Sequence, residues 1–348
     1  MRLNRLTVAA VAFLPVAALA LAGCRDSRTA TTTSADGTPQ VKIMIGGINK
    51  VIYLPAMLTQ QLGYFKDAGV DVKLADEPSG ASAENTLVAG QVQGVVGFYD
   101  HTITLQAQGK CIKSVVQLAK VPGEAEVVSN KQAASLAGAK DFKGKKLGVT
   151  SPGSSTDYLT QYLATKNGVS TKDYTTVKAG AGSTFVAALT NGGIDAGMTT
   201  DPTIATITSK NLGKVLIDMR TEEGTKAALG GLYPAASLYM DCAYVDANKD
   251  TVQKVADAFV KTMQWISTHS PAEIADKMPA DYAGADKALY VKSIKDSSPM
   301  FTTDGVMPKG GPETVLDVLG TFSDTVKSQK DKIDLSKTYT TDFATNTK

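Results

Sequence analysis

The chain has 348 residues, a formal charge of +2, three cysteines and two histidines. Arg2 and Arg5 are the only charged residues before Cys24, so the chain from Cys24 onward is neutral. A neutral surface with no basic block argues against nucleic acid as a partner. The scattered His101, His269, Cys111 and Cys242 do not have the spacing of a metal site.

Residues 6–21 form an apolar run behind Arg2 and Arg5, broken by Thr7 and Pro15, and lead into Leu21-Ala22-Gly23-Cys24. A basic start, an apolar middle and small residues at a cleavage point make an export signal over 1–23. The ending is similar to a bacterial lipobox, which implies cleavage before Cys24 and diacylglycerol on its sulfur. A transmembrane anchor fits less well, because spanning needs about 20 apolar residues and Pro15 interrupts this run. Such a chain is expected on the outer face of the cell membrane, or a periplasmic membrane face, held by lipid. Residues 24–40, rich in Ser, Thr and Ala, read as a flexible tether. In an exported body, Cys111 and Cys242 either form a disulfide or stay as two buried thiols.

From residue 41 short apolar runs alternate with helical periods. Strands are expected at 41–45, 70–74, 95–99 and 112–118. Leu54, Met57, Leu58, Leu62 and Phe65 mark one helix, and Ser79 to Glu84 caps a second through Val88. This alternation predicts an α/β fold with mostly parallel sheets covered by helices. The pattern returns about a hundred residues later. Leu58-Thr59-Gln60 is echoed by Leu159-Thr160-Gln161, Ser82 by Ser183 and Asp100 by Asp201. Two βαβαβ units facing each other form a cleft at the carboxyl ends of their strands, where open α/β sheets bind ligands.

The lobes are expected to be 41–126 with 235–348, and 127–234. Crossings are placed at 127–131 and 232–240, with Gly230-Gly231-Leu232-Tyr233-Pro234 as a breaker. Two extended connections make a hinge. In the second unit, residues 146–150 read as a strand, 151–153 as a turn, and Ser154, Ser155, Thr156 and Asp157 as a helix start. Ser154 with Asp157 fits a capping box, with Asp standing in for Glu. Free N–H groups there suit an anion, although capping alone also explains the hydroxyls. No Gly-Lys follows, so this is no nucleotide P-loop. The chain then turns helical, with a 3.6-residue period from Val252 to Ile266. Trp265 reads as core, and 338–348 as a fraying end.

Several segments together resemble a known family. They are Tyr53-Leu54-Pro55-Ala56, Leu62-Gly63-Tyr64-Phe65-Lys66-Asp67-Ala68-Gly69-Val70-Asp71-Val72, Asp141-Phe142-Lys143-Gly144-Lys145-Lys146-Leu147-Gly148-Val149 and Gly193 to Ala196. The chain over 41–322 is similar to the periplasmic substrate-binding proteins of ABC importers, of the nitrate, sulfonate and taurine type that includes thiamine-precursor binders. The resemblance implies a two-lobed type II periplasmic-binding-protein fold, no catalysis and no cofactor. It also implies a small-molecule ligand and delivery to membrane permease subunits, for which a monomer suffices. Ligand contacts are then expected from Asn49, Tyr53, Ser79, Ser82, Tyr99, Asp100, Ser154, Ser155, Thr156, Asp201 and Tyr233. A sulfonate-like or nitrate-like anion is the first expectation. No Arg lies in these loops, and inward-facing Asp100 and Asp201 would favour an amine or heterocycle, so a thiamine-precursor pyrimidine or an aromatic carboxylate is the alternative. His101 reads as a structural hydrogen-bonder. An extracellular sensor feeding a signalling partner is a further alternative. The related fold also includes a eukaryotic thiamine-pyrimidine synthase, which needs a substrate histidine and a cysteine-rich iron motif that this chain lacks.

Overall fold

A computed structural model describes residues 29, 31–284 and 286–347. The expected export signal and the expected lipidation site at Cys24 lie outside the described residues. Among the described residues the strands, in chain order, are β1 (Thr32–Thr33), β2 (Pro39–Ile45), β3 (Asp71–Asp76), β4 (Gly94–Phe98), β5 (Ile112–Gln117), β6 (Glu124–Ser129), β7 (Lys146–Val149), β8 (Thr175–Lys178), β9 (Ala196–Thr200), β10 (Gly213–Asp218) and β11 (Ala236–Asp241). They form two sheets. In the first, β3, β2, β4, β11 and β5 lie side by side, with β1 added to β2. In the second the order is β8, β7, β9, β6 and β10.

The two orders are the same pattern. In each sheet the first three strands are parallel, and the fourth and fifth run antiparallel to their neighbours. The fourth strand, β11 in one lobe and β6 in the other, begins where the chain arrives from the opposite lobe. The doubled sequence pattern therefore has a structural counterpart: two α/β lobes, each completed by a strand from beyond a crossing.

The crossings sit elsewhere than the sequence suggested. Residues 127–129 lie inside β6, in mid-sheet, so the first crossing is 118–123. It pairs with 233–236. Leu118 and Ala119 N–H groups both donate to the Ala236 carbonyl at 2.8 and 2.9 Å, and Ala235 N–H donates to Ala119 at 2.9 Å. Gln117 Nε2 also donates to the carbonyls of Ala119 and Ala236. The second crossing ends before Ala236, because 236–240 belongs to β11. Apolar identity misled here: Val127 and Val128 read as a connection but are buried between neighbouring strands.

Other differences have local causes. The helix expected over 54–65 breaks into Leu54–Gln61 and Tyr64–Asp67, since Gly63 takes φ +78°. The tether is partly docked. Thr32 and Thr33 pair with Gln40 and Pro39, and Thr31 bonds Tyr244 and Asn248. The C-terminal segment does not fray. Tyr339 forms a bridge with Ser114, Thr338 is fully buried, and Ala344 packs in the core. The helix Lys249–Thr268 buries Val252, Val255, Ala256, Phe259, Val260, Met263 and Ile266, as its period requires. Trp265 is half-buried and stacks on His269 with centroids 3.8 Å apart. Cys111 and Cys242 form a disulfide.

One buried group is unexplained by packing. Glu126, on β6, is fully buried with neither carboxyl oxygen bonded among the described residues. Burial pushes its carboxyl well above the usual range. It stays protonated in the fold while the unfolded chain ionises above about pH 4.3. Stability from this group is therefore lost as pH rises from there toward the raised folded value. Glu126→Leu is expected to stabilise by ~1–3 kcal/mol near pH 7 and by less at pH 4. Urea denaturation at both pH values checks this, and a less stable variant at pH 7 contradicts it.

Candidate functional site

The loops after β2 and β4 in lobe I face those after β7 and β9 in lobe II. The lobes touch. Ser155 Oγ, at the start of the helix Ser155–Lys166, donates to Asp100 Oδ1 at 2.9 Å. Tyr233 OH, beside the second crossing, donates to Asp100 Oδ2 at 2.9 Å. One carboxylate thus joins lobe I, lobe II and the hinge. Asp100 is fully buried, and burial raises its carboxyl above the usual range while His101 and the two hydroxyls act against the rise.

Glu124, the first residue of β6, shares this space. It is buried, and its Oε2 has no bonding partner among the described residues. Burial drives its carboxyl well above the usual range; Asp100 and Glu126 raise it further and Lys50 opposes them. The same two carboxyls, Glu124 and Asp100, act on the buried Tyr53 and Tyr233 phenols, whose ionisation burial already suppresses. A buried carboxyl whose charged form is disfavoured can, when protonated, donate one hydrogen bond and accept another.

The nearby cations are already engaged. Lys50 Nζ donates to the Gly46 carbonyl at 2.6 Å, and burial lowers it to about 8. Burial also acts to lower His101, but Glu84 and Asp100 outweigh this and hold it at about 9, with Nδ1 2.6 Å from Glu84 Oε2. Lys120 pairs with Glu222 at 2.8 Å. An open cavity of about 450 Å³ at the cleft mouth is lined by Asn49, Lys50 and Asp76 from lobe I and by Gly182, Ser183 and Thr203 from lobe II.

Asp201 has a different role from Asp100. Its carbonyl accepts from Val51 N–H at 3.0 Å. Its buried carboxylate accepts from Ala205 N–H, from Arg220 Nη1 at 3.0 Å and from Ser297 Oγ at 2.9 Å. Ser297 is on lobe I, so this is a clasp between lobes at the cleft edge. Arg220 also holds Asp218 in a forked pair and lies 3.8 Å from Asp296.

The structure brings Asp100, Ser155, Tyr53 and Tyr233 together. Ser79 and Ser82 cap their own helix, the Ser79 Oγ accepting from Ser82 N–H at 3.2 Å. That helix start faces the 151–153 turn: a Cβ built on Gly153 would lie 3.9 Å from that of Ala81. Asn49 is exposed at the mouth. Tyr99 lies outside the group, since it points into the lobe I core, with its OH on Thr338 and its ring edge-on to Tyr339. Ser154 and Thr156 turn inward. Ser154 Oγ donates to Ser151 C=O at 2.6 Å, and Thr156 Oγ1 accepts from Thr150 N–H at 2.9 Å. No reciprocal capping box forms, because Asp157 accepts from Gly153 N–H instead. Sequence reasoning missed Glu124, Arg220 and Ser297. Two glutamates alternating at 124 and 126 in an otherwise apolar strand were the available signal for the first.

The comparisons agree with this architecture. A solved structure of a Bordetella bronchiseptica RB50 protein is 35% identical, covers 88% of this chain and 96% of its own, and superposes with a TM-score of 0.83. The alkanesulfonate-binding protein SsuA from Xanthomonas axonopodis pv. citri, solved bound to MOPS, is 18% identical with a TM-score of 0.68 over 89% of this chain and 99% of its own. The 4-amino-5-hydroxymethyl-2-methylpyrimidine phosphate synthase of Aspergillus parasiticus is 25% identical over 257 residues, 70% of this chain and 72% of the relative. A family model described as NMT1/THI5 like matches residues 52–274, most of both lobes, and the chain belongs to that family.

Proposed function

We propose that this protein is the solute-binding component of an ABC import system, held outside the membrane by lipid on Cys24. It captures a small nitrogen-bearing solute, an amine or an amino-heterocycle, between its lobes. Membership of the family, the two-lobed fold and the export signal support the importer role. The binding reading, rather than an enzymatic one, rests on the solute-binding neighbours and on a cluster of buried carboxyls and phenols where the lobes meet.

The observation that carries the ligand class is Glu124. A buried carboxyl with an unbonded oxygen, beside Asp100 and two tyrosines, is an acceptor waiting for a donor. Sulfonate and nitrate offer no proton, and His101 and Lys120 are already ion-paired, while Lys50 gives one of its three N–H groups to the Gly46 carbonyl. An aminopyrimidine edge, with a ring nitrogen beside an amino group, matches a protonated carboxyl that donates and accepts. The anion that the sequence favoured is therefore second to the heterocycle.

The test is calorimetry and thermal shift on the soluble body from residue 29, with an aminopyrimidine, an alkylamine, an alkanesulfonate that carries no amine, and nitrate. A ligand at 100 times its dissociation constant stabilises by ~2.7 kcal/mol. The aminopyrimidine should do so; Glu124→Gln, which keeps one donor and one acceptor, should retain much of the affinity, and Glu124→Leu should weaken it at least tenfold. Binding of the alkanesulfonate or nitrate alone would overturn the ligand class, and no binding by any of the four would count against the site.

A further inference from the structure

His101 follows Asp100 at the start of the helix Asp100–Ala107, and its ring is fully buried. Nδ1 lies 2.6 Å from Oε2 of Glu84, on the helix Gly80–Val88, and Nε2 lies 4.0 Å from Asp100 Oδ1. Each ring nitrogen thus faces a carboxylate. A neutral imidazole has one N–H and one lone pair, so it would turn the lone pair on one of the two. Only the imidazolium suits both. Gly80 leaves room for the ring, since a Cβ there would lie 2.9 Å from Nε2.

The hydrogen bonds set the charge of Asp100 as well. Oδ1 accepts from Ser155 and Oδ2 from Tyr233. A protonated carboxyl would use one oxygen as a donor, so this pair of bonds calls for the ionised form. A buried carboxylate needs a positive partner. Lys50 Nζ is turned to the Gly46 carbonyl and Lys120 to Glu222, so among the described residues His101 is the cation that acts on Asp100. The lobe II helix that supplies Ser155 also supplies Tyr158, one turn on, with its ring centroid 5.8 Å from that of His101. Closing the lobes sets Ser155 on Asp100 and Tyr158 against His101 in one movement.

Resting on the reading of this cleft as a solute-capture site, we infer that His101 is a positioning residue: its positive charge keeps Asp100 an ionised acceptor for Ser155 and Tyr233, and closure of the lobes is tied to the proton it holds. The titratable groups that face the ring are Glu84 and Asp100, then Tyr158 from lobe II and Tyr239 from β11, whose centroid is 6.4 Å away. Burial raises both phenols, so they stay neutral. Burial acts to lower His101, but Glu84 and Asp100 outweigh it and raise the ring from 6.5 to about 9. What the ring contributes is therefore complete below pH 6.5 and is lost as pH rises from there through about 9. Above that range Asp100 and Glu84 have no positive charge between them, and the bonds across the cleft weaken.

Two measurements without solute test this. The chain has two histidines, His101 and His269, so nitrogen-15 labelling of histidine gives two rings to follow by nuclear magnetic resonance, and His269→Gln assigns them. The His101 ring should carry both protons at pH 7 and titrate near pH 9. Solution scattering at pH 6 and pH 10 reads closure. The radius of gyration should rise at pH 10 in the parent protein, and in His101→Gln it should already be the larger at both pH values. Lys50, which burial lowers to about 8, titrates in the same span, but it faces Glu124 and Asp76, so Lys50→Met should keep the parent's rise. A neutral His101 ring at pH 7 overturns the role, and so does a parent radius that is the same at pH 6 and pH 10 or a rise that persists in His101→Gln. The ring titration and the parent's scattering need no variant, so they decide even where His101→Gln does not fold. Failure here leaves the importer reading standing, and failure of every solute to bind leaves these two results standing.

Discussion

Asp100→Ala should abolish tight ligand binding while leaving each lobe folded. The carboxylate is the single acceptor for Ser155 and Tyr233, at 2.9 Å each. Hydrogen bonds to a charged group are worth ~1.5–3 kcal/mol each, and the loss leaves two buried hydroxyls without their partner. Closure should become less favourable by ~3–5 kcal/mol. Because the ligand draws on the closed state, its affinity should fall by at least a hundredfold. Asp100→Asn keeps the shape but only one acceptor oxygen, so it should retain one of the two bonds and part of the closure. Calorimetry with the best-binding solute, beside the radius of gyration from solution scattering, separates the two effects. Unchanged affinity in Asp100→Ala would mean that the ligand does not report on this contact.

Arg220→Ala should produce the largest loss of stability. The guanidinium is mostly buried and faces the fully buried side chain of Asp201 at 3.0 Å, with Asp218 at 2.6 Å and Asp296 at 3.8 Å. Burial alone raises the Asp201 carboxyl, and Arg220 is the charge that counters it. Removing one member of a buried pair strands the other, at ~3–5 kcal/mol. Arg220→Lys should fall between, because an ammonium cannot form the forked bond to Asp218. Guanidinium unfolding midpoints check the ranking. Parent-like stability in Arg220→Ala would show that Asp201 is satisfied by Ser297 and Ala205 alone. The two substitutions also differ in kind: Asp100 sits at the centre of the cleft and Arg220 at its edge, so the first should act on binding and the second on the fold.

How much of this was legible in advance varied by element. The helix Lys249–Thr268 was readable because a one-sided apolar period needs only local spacing. The position of Asp100 at a strand-end turn was readable for the same reason, and its echo at Asp201 was visible in the repeat. The roles of those two aspartates were not. One meets Ser155 and Tyr233 in the cleft, while the other meets Arg220 and Ser297 at the rim. Tyr99 and Tyr53 both looked like cleft residues, and the turn of the chain at the end of β4 sent Tyr99 into the core.

By itself the amino-acid order determined the α/β alternation, the doubled unit and the family resemblance, because each depends on residues near one another along the chain. Which side chains share the cleft was decided by packing. Glu124 reaches Asp100 only because β6 crosses into the second sheet and returns beside β9, and Ser155 rather than Ser154 reaches across because the 151–154 turn consumes its own hydroxyls. A carboxyl at position 124 carries no mark of burial in the sequence; the low-dielectric surroundings that disfavour its charged form exist only once the chain has folded around it.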